Sequence, residues 1–249
     1  MTSAGHDWRP TASLEMLRLR AEILSTIRAF FADREVLEVE TPLLASAPVT
    51  DLHLHALSCP YRGPGADEGR ELFLQTSPEF AMKRLLAAGS GAVYQICKAV
   101  RGGEAGGMNN PEFTILEWYR PGWDHHCLMG EVDELLQLVL DTAPGDRLTY
   151  EKVFDRHAGV NPFSASAEEL VNRAERLGVV EPDGLERDDL LNLLLIHVVE
   201  PQLGRGRPTF VVDYPPSQAS LARIRPGDPP VAERFEVFSD GVELANGYH

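Results

Sequence analysis

The segment from residue 110 to residue 121 constrains the fold of this chain more than any other. It reads Asn-Pro-Glu-Phe-Thr-Ile-Leu-Glu-Trp-Tyr-Arg-Pro, and successive side chains of a β-strand point to opposite faces. One face of such a strand would carry two aromatic rings, an aliphatic side chain and a carboxylate, from Phe113, Ile115, Glu117 and Tyr119. The other face would carry Thr114, Leu116 and Trp118. The alternation therefore predicts a strand with one ligand-binding face and one core face.

The ligand-binding face and a nearby arginine indicate the chemistry of the ligand. A ring, a carboxylate and a phenol in register suit a small molecule with a flat base and a positive charge. Arg101 lies on the far side of a short loop, and a planar guanidinium suits the phosphate of such a molecule. These groups together make an aminoacyl-adenylate a candidate ligand.

The composition limits the classes of protein to which this chain can belong. With 249 residues, 43% of them hydrophobic, the chain can bury a large core. The formal net charge of −15 opposes tight binding to a phosphate backbone, so tRNA is not an expected partner. Cys59, Cys97 and Cys127 match neither a disulfide framework nor a metal motif. No segment approaches the roughly 18 apolar residues of a membrane span, so we expect a soluble cytoplasmic protein.

Hydrophobic periodicity predicts an α+β fold in which helices flank a mostly antiparallel sheet. After a polar lead over residues 1 to 12, apolar residues recur at helical spacing behind a possible N-cap at Ser13. A capping box at Ser166 to Glu169 opens a helix in a small helical insertion over residues 150 to 205. Further helices are predicted over 78–88 and 128–139, and strands over 36–39, 71–76, 92–100, 210–213, 232–238 and 242–245, the last after a turn at Asp240 and Gly241.

Several segments, in the same order along the chain, carry a family resemblance. Phe30–Pro42 resembles motif 1 of class II aminoacyl-tRNA synthetases of the lysyl type, and the segment from 110 to 121 resembles their motif 2. Thr76–Leu86 resembles the amino-acid-binding segment, and Ser217–Ala222 and Gly241–His249 resemble later segments. The chain is most similar to the paralogues that attach (R)-β-lysine to translation elongation factor P. The resemblance implies a class II catalytic domain over residues 13 to 249 and a homodimer whose interface the first helix and strand build.

The resemblance also assigns an ATP site and a magnesium ion. Arg101 would be the catalytic residue, because it would hold the α-phosphate and the carboxylate of the amino acid, while Phe113 would stack on adenine. Glu243 would touch ATP or its Mg²⁺. The complete implied set of ATP-binding residues is Arg101, Gly102, Gly103, Asn110, Phe113, Glu243 and Leu244.

The candidate amino-acid pocket combines Glu79, Glu117 and Tyr119, with Ser77 and Pro78 shaping its wall. Two carboxylates would compensate two ammonium groups, which is the physical requirement for a diamino acid such as lysine or (R)-β-lysine.

Two departures from the family pattern affect these expectations. Gly103 replaces the glutamate that would contact the adenine amine, and Glu104, three residues after Arg101, is expected to face the other way along a strand. The alternative is that slack from Gly102, Gly103, Gly106 and Gly107 lets Glu104 take its place, at an entropic cost for ordering so many glycines. We therefore expect weak ATP binding. The glycine-rich segment of residues 102 to 107 is interpreted as a mobile loop. The family pattern also continues beyond His249 with a carboxylate, a final strand and a helix with motif 3, so we expect a C-terminally incomplete domain. Gly204–Arg207 is interpreted as a loop and not as a substitute for motif 3.

Two pairs of histidines are further candidates for metal ligands. His53 and His55 would share one strand face, and His125 and His126 are adjacent. A zinc site needs a third and usually a fourth ligand, and no partner is evident in the sequence. Hydrogen-bonded polar histidines are therefore the favoured interpretation.

The leading hypothesis is an AMP-forming, ATP-dependent ligase that activates lysine or (R)-β-lysine and transfers it to a lysine of elongation factor P. One alternative is a catalytically inactive fragment that acts at most as a binding or dimerisation module, motivated by the altered loop and the missing motif 3. The other is a tRNA ligase of the lysyl-tRNA synthetase type. It is disfavoured because only about ten residues precede the first helix of the catalytic domain.

Overall fold

The computed structural model describes residues 10–50, 54–107, 109–179 and 184–249, and of residues 66–68 it describes the backbone alone. Most of the polar lead and His53 lie outside this range. The chain divides into two compact units, Met1–Pro121 and Gly122–His249. None of the helices described is both long and apolar enough to span a bilayer.

The described residues of the first unit form two helices and two three-stranded sheets. Its elements are α1 (Leu14–Ala32), β1 (Leu37–Glu38), β2 (Leu44–Ala45), β3 (Ser58–Gly63), β4 (Ala66–Leu74), α2 (Glu79–Ala87), β5 (Val93–Val100) and β6 (Glu112–Tyr119). One sheet has the order β1-β5-β6, in which β1 is parallel to β5 and β6 is antiparallel to it. The other, β2-β4-β3, is antiparallel throughout.

Helix α1 and strand β6 form where the sequence predicts them. The Ser13 hydroxyl caps α1 by accepting a hydrogen bond from the Met16 amide at 3.2 Å. Near the end of the helix, the fully buried Phe31 ring stacks on Tyr94 at 4.4 Å and meets the edge of Trp118 at 5.3 Å. Trp118 therefore belongs to the core face of β6, as its alternation indicates.

Within residues 122–179 and 184–249, the second unit contains four α-helices and a five-stranded sheet. Its elements are α3 (His125–Leu140), β7 (Asp146–Thr149), α4 (Tyr150–His157), α5 (Ala167–Arg176), α6 (Arg187–Leu194), β8 (Thr209–Tyr214), β9 (Ile224–Arg225), β10 (Val231–Ser239) and β11 (Val242–Tyr248). A π-helical segment, Leu195–Val199, continues α6. The sheet has the order β11-β10-β8-β7 with β9 paired to β10, and β7 and β8 are its parallel pair.

Local signals explain the ends of several elements in this unit. The capping box at the start of α5 is present, with both Ser166 and Glu169 making their reciprocal hydrogen bonds. Asp240 and Gly241 both have positive φ, 48° and 77°, so they form the tight turn predicted between β10 and β11. The buried apolar cluster of the unit packs the helices α4, α5 and α6 against β8 and β10.

The predicted α+β class is confirmed, and so are the predicted helices and strands, with shifts at their ends. The hydrophobic periodicity of the sequence did not predict the strands β3 and β7. It also did not predict α4 and α6 as separate helices. The segment from 150 to 205 does hold helices, as expected. Its status as an insertion in one catalytic domain stays a prediction.

Candidate active site

The candidate site of the first unit is built on the β5–β6 hairpin. Antiparallel pairing places Phe113 opposite Ala99 and Glu117 opposite Gln95, and directly opposed residues share one face of a sheet. The hairpin closes beyond its strands, where the Arg101 amide donates to the Pro111 carbonyl at 2.8 Å. The register therefore brings the base-stacking candidate and the pocket carboxylate onto one surface.

Arg101 lies at the end of this surface that carries Phe113. Its guanidinium carbon is 5.0 Å from the centre of the Phe113 ring, and its Nε donates to the Thr76 carbonyl at 3.2 Å. Thr76 is 3% exposed and directly precedes Ser77. The backbone of the amino-acid-binding segment thus orients the arginine, a contact that sequence reasoning missed because a carbonyl acceptor leaves no signal in the side-chain pattern.

Glu104 differs from its prediction. Its carboxylate oxygen lies 3.9 Å from an Arg101 guanidinium nitrogen, so it turns toward the arginine and not away from it. The expectation was wrong because β5 ends at Val100, and strand alternation does not apply to the loop that follows.

Glu117 is the most enclosed carboxylate of the surface. Ser77 Oγ donates to one of its oxygens at 2.7 Å, and the Tyr119 hydroxyl donates to the other at 2.5 Å. The same Ser77 oxygen accepts the Glu79 amide at 3.1 Å, which ties the pocket wall to the start of α2. Burial raises the pKa of Glu117 above its ordinary value, while the two hydroxyl donors oppose that rise.

Glu79 carries a partner that sequence reasoning missed. Lys83, one turn later on α2, places its ammonium 2.6 Å from a Glu79 carboxylate oxygen. Pro78 is the N-cap residue of this helix and shapes the backbone at its start. The pocket region therefore already contains one ammonium beside one of its two carboxylates.

Gln95 is a further candidate that the sequence pattern did not single out. It is 1% exposed and lies directly opposite Glu117. Neither polar atom of its side chain has a hydrogen-bond partner within the described part of the chain. A buried amide of this kind normally finds a partner, which makes Gln95 a candidate to contact a ligand in the pocket. Its signal in the sequence was a polar residue between apolar neighbours in the first half of the strand.

The glycines that follow Arg101 in the loop after β5 contribute backbone groups near the site. The Gly102 amide donates to the His55 carbonyl at 2.6 Å, and a Cβ at Gly102 would lie 3.1 Å from that oxygen. Gly103 has a φ of 85°, which glycine adopts without strain. Asn110 is exposed at the other end of the loop.

The remaining predicted residues, Glu243 and Leu244, lie on β11 in the second unit. The Glu243 carboxylate accepts a hydrogen bond from the Asn246 side chain at 3.2 Å. Burial, together with the nearby carboxylates of Glu236 and Glu243, raises the pKa of Glu200 to about 7. Carboxylate oxygens are the ligands that Mg²⁺ prefers, so the side chain of Glu243 is of a chemical type that could contact a magnesium ion.

The structure thus connects the predicted residues of the first unit into one series of contacts. It runs from Phe113 through Arg101 and Thr76 to Ser77, and from there to Glu117 and Tyr119. The roles of these residues in binding or catalysis stay predictions, as do those of Glu243 and Leu244.

Comparison with known proteins places this geometry in a family. The model of the class II tRNA synthetases for D, K and N matches residues 3–249. A protein of Vibrio vulnificus named elongation factor P--(R)-beta-lysine ligase is 54% identical over 246 residues, which cover 98% of this chain and 76% of the relative. Proteins of the same name from Photobacterium profundum and Enterobacter sp. are each 52% identical, over 97% of this chain and 76% and 75% of the relatives.

Proposed function

Since the chain belongs to the class II tRNA synthetases for D, K and N and is an ATP-dependent amino-acid ligase, we propose that it activates lysine or (R)-β-lysine as an adenylate. It then transfers the acyl group to a lysine side chain of elongation factor P. The single observation that carries this proposal is the series of contacts from Arg101 through Thr76 and Ser77 to Glu117. It joins a guanidinium suited to a phosphate to a half-buried carboxylate suited to an ammonium.

In the activation step, a carboxylate oxygen of the amino acid attacks the α-phosphorus of ATP. A new P–O bond forms to the amino acid, the bond to the β-phosphate oxygen breaks, and pyrophosphate leaves. Arg101 stabilises the negative charge that grows on the α-phosphoryl oxygens. Its orientation is set beforehand by the Thr76 carbonyl, so little reorganisation is needed during the reaction.

The amino-acid side of the site works by charge compensation. Glu117 presents a carboxylate whose two oxygens are fixed by the Ser77 and Tyr119 hydroxyls, and an ammonium of the substrate would form a charge-assisted contact with it. Glu79 would exchange its contact with Lys83 for a contact with the substrate. This exchange allows a carboxylate to stay paired in both the empty and the occupied pocket.

In the transfer step, the neutral ε-amine of the acceptor lysine attacks the carbonyl carbon of the adenylate. The bond between that carbon and the phosphate oxygen breaks, AMP leaves, and an amide forms with loss of one proton from the amine. The acceptor is a protein, which agrees with a net charge of −15 that does not favour tRNA.

Magnesium, held through Glu243, would supply positive charge to the phosphates of ATP. Glu200 lies near enough for Glu243 to raise its pKa, so a bound cation would favour the ionised form of both side chains.

We also propose that a second copy of the chain covers helix α1. The N-terminal part of this helix exposes several apolar side chains, among them Leu14 at 70% and Met16 at 54%, and the strand that follows exposes Leu37 at 57%. Clustered exposed apolar side chains, such as those at the start of α1, mark interaction surfaces. Sedimentation of the purified chain should give the mass of a dimer, and Met16→Glu should shift it toward the monomer.

The test of the ligase proposal uses the 249-residue chain with ATP, Mg²⁺ and purified elongation factor P. (R)-β-Lysine should raise the mass of the factor by one β-lysyl group, and a factor whose acceptor lysine is replaced by arginine should stay unmodified. A parallel reaction with lysine ranks the two amino acids.

Two other outcomes would replace the proposal. Charging of lysine tRNA with no change in elongation factor P would establish the tRNA-ligase alternative. Absence of both product formation and ATP–pyrophosphate exchange, in a chain shown to be folded by circular dichroism, would establish the inactive module.

A further inference from the structure

Three side chains of the second unit converge in a place that the proposed ligase reaction does not use. They are His125, Glu233 and His249, and one nitrogen or oxygen atom of each lies within 4.8 Å of those of the other two. His125 is the first residue of α3, Glu233 lies on β10, and His249 directly follows β11. Only the tertiary structure brings these residues together, since 108 positions separate the first from the second in the sequence.

The imidazole of His125 is buried, and its two ring nitrogens make no hydrogen bond to the residues that the structure describes. The residue is 1% exposed. The prediction of hydrogen-bonded histidines was therefore wrong for this residue. Leaving a buried polar group unpaired costs about 1 to 3 kcal/mol, so an imidazole in this state calls for a partner. Burial lowers the pKa of His125, which favours the neutral ring that ligates metals.

Glu233 and His249 are held in fixed positions beside it. His249 Nδ1 lies 2.9 Å from a Glu233 carboxylate oxygen, and the His249 amide donates to the Glu233 carbonyl at 2.9 Å. The His249 carbonyl in turn accepts the Arg223 amide at 2.7 Å. The other Glu233 oxygen lies 3.8 Å from Arg225, which is itself bound to Asp213 at 2.7 Å. Hydrogen bonds and ion pairs to a side chain that ligates a metal orient that side chain toward the metal.

We propose that His125, Glu233 and His249 bind one divalent transition-metal ion, with zinc as the preferred metal. Two imidazoles and one carboxylate are a ligand set typical of zinc, and three protein ligands leave a fourth position for water. Bonds of about 2.1 Å to a tetrahedral ion place ligand atoms about 3.4 Å apart, so small side-chain rotations bring the three atoms into range. On binding, the metal replaces the contact between His249 Nδ1 and the Glu233 carboxylate.

Such a metal would join the start of α3 to β10 and to the residue after β11. It would give the unpaired His125 nitrogen a partner and link segments that are distant in the sequence, so we expect it to stabilise the second unit. Its ligand set does not include the proposed magnesium ligand Glu243, and its nitrogen ligands favour zinc while magnesium favours oxygen.

The test measures zinc binding and not catalysis. The untagged chain is stripped with a chelator and titrated with Zn²⁺, and we expect one ion per chain and a higher Tm. Cobalt(II) in place of zinc should give the visible absorption bands of a tetrahedral site. Because His125 lies in the core, the variants are Glu233→Gln and His249→Gln, each of which should weaken zinc binding at least tenfold and remove the rise in Tm.

The matched control is His197→Gln, which removes an exposed histidine from the π-helical segment of the same unit. It should bind zinc as the unaltered chain does. Absence of stoichiometric binding would overturn the proposal. So would equal affinity in the two ligand variants and the control, since the ion would then lie elsewhere.

Discussion

The two units of this chain use their interiors differently. In the first unit, the surface around the β5–β6 hairpin encloses polar side chains, including Gln95 and Thr76, beside the enclosed carboxylate of Glu117. In the second unit, the helices pack an apolar cluster in which the rings of Tyr150 and Phe154 stack at 4.5 Å. Polar side chains enclosed at a candidate site give up packing energy for ligand contacts, whereas an apolar cluster contributes mainly to stability. We therefore expect activity and stability to respond to different substitutions.

The largest effect on stability is expected in the apolar cluster. Phe154→Ala removes a fully buried ring and should lower the free energy of unfolding by about 3 to 5 kcal/mol. Urea unfolding followed by circular dichroism measures the change. Leu138→Ala, at an exposed position of α3, is the control and should change it by less than about 1 kcal/mol. Equal stability of the two variants would show that the apolar cluster does not stabilise the second unit.

The largest effect on activity is expected at Arg101. Arg101→Ala should slow adenylate formation on the order of 10²- to 10³-fold or more, about 3 to 4 kcal/mol, because a preorganised cation beside the phosphoryl oxygens is lost. Pyrophosphate exchange measures this rate, and urea unfolding should show little change. The control Arg207→Ala removes an exposed ion pair with Asp146 in the second unit. A loss of stability as large as the loss of rate would mean that Arg101 is structural.

A smaller effect is expected at Glu117. Glu117→Gln keeps the shape but removes the charge, so the KM for the amino acid should rise by roughly 10- to 100-fold, the value of a charge-assisted hydrogen bond. Stability should change less, because burial raises the pKa of Glu117 above 4.5 and its ionised form therefore costs folding energy above that pH. The control is Glu112→Gln at the exposed start of the same strand. An unchanged KM would show that Glu117 does not contact the amino acid.

The smallest effect is expected at Glu200. It tests whether the second unit contributes to stability through apolar packing alone. The pKa of Glu200 is raised from 4.5 to about 7 by burial and by Glu236 and Glu243. Between these two values the folded state holds a proton that the unfolded state has released, so stability falls as the pH rises through this window. Glu200→Gln should remove that fall and gain on the order of 1 kcal/mol at pH 8 after allowance for solvent screening.

Urea unfolding at pH 5 and pH 8 measures this difference. Glu175→Gln, exposed on α5, should leave the pH dependence as it is. Identical pH profiles for Glu200→Gln and the unaltered chain would show that the carboxylates of the second unit do not repel one another.

Much of the fold follows from local sequence. The helix after Ser13, the capping box at Ser166 and the turn at Asp240 and Gly241 are each encoded within a few residues. Short elements such as β7 escaped prediction because four residues carry too little periodicity. The π-helical segment after α6 was not predicted, because no local pattern of side chains distinguishes it from an ordinary helical turn.

The candidate site was predictable where a family pattern or strand alternation names the side chain, as for Phe113 and Glu117. It was not predictable where a contact depends on the path of a loop or on a backbone atom. Glu104 turned toward Arg101 because the chain had already left its strand, and the acceptor of Arg101 is a carbonyl of Thr76.

By itself the sequence determined the class of fold, the two faces of β6 and the residue types available for binding an adenylate. The tertiary structure alone decided which distant groups meet, most clearly His125 with Glu233 and His249. The physical reason is that periodicity and capping arise from interactions over a few residues. Contacts between distant residues depend instead on strand register and on how helices pack against a sheet.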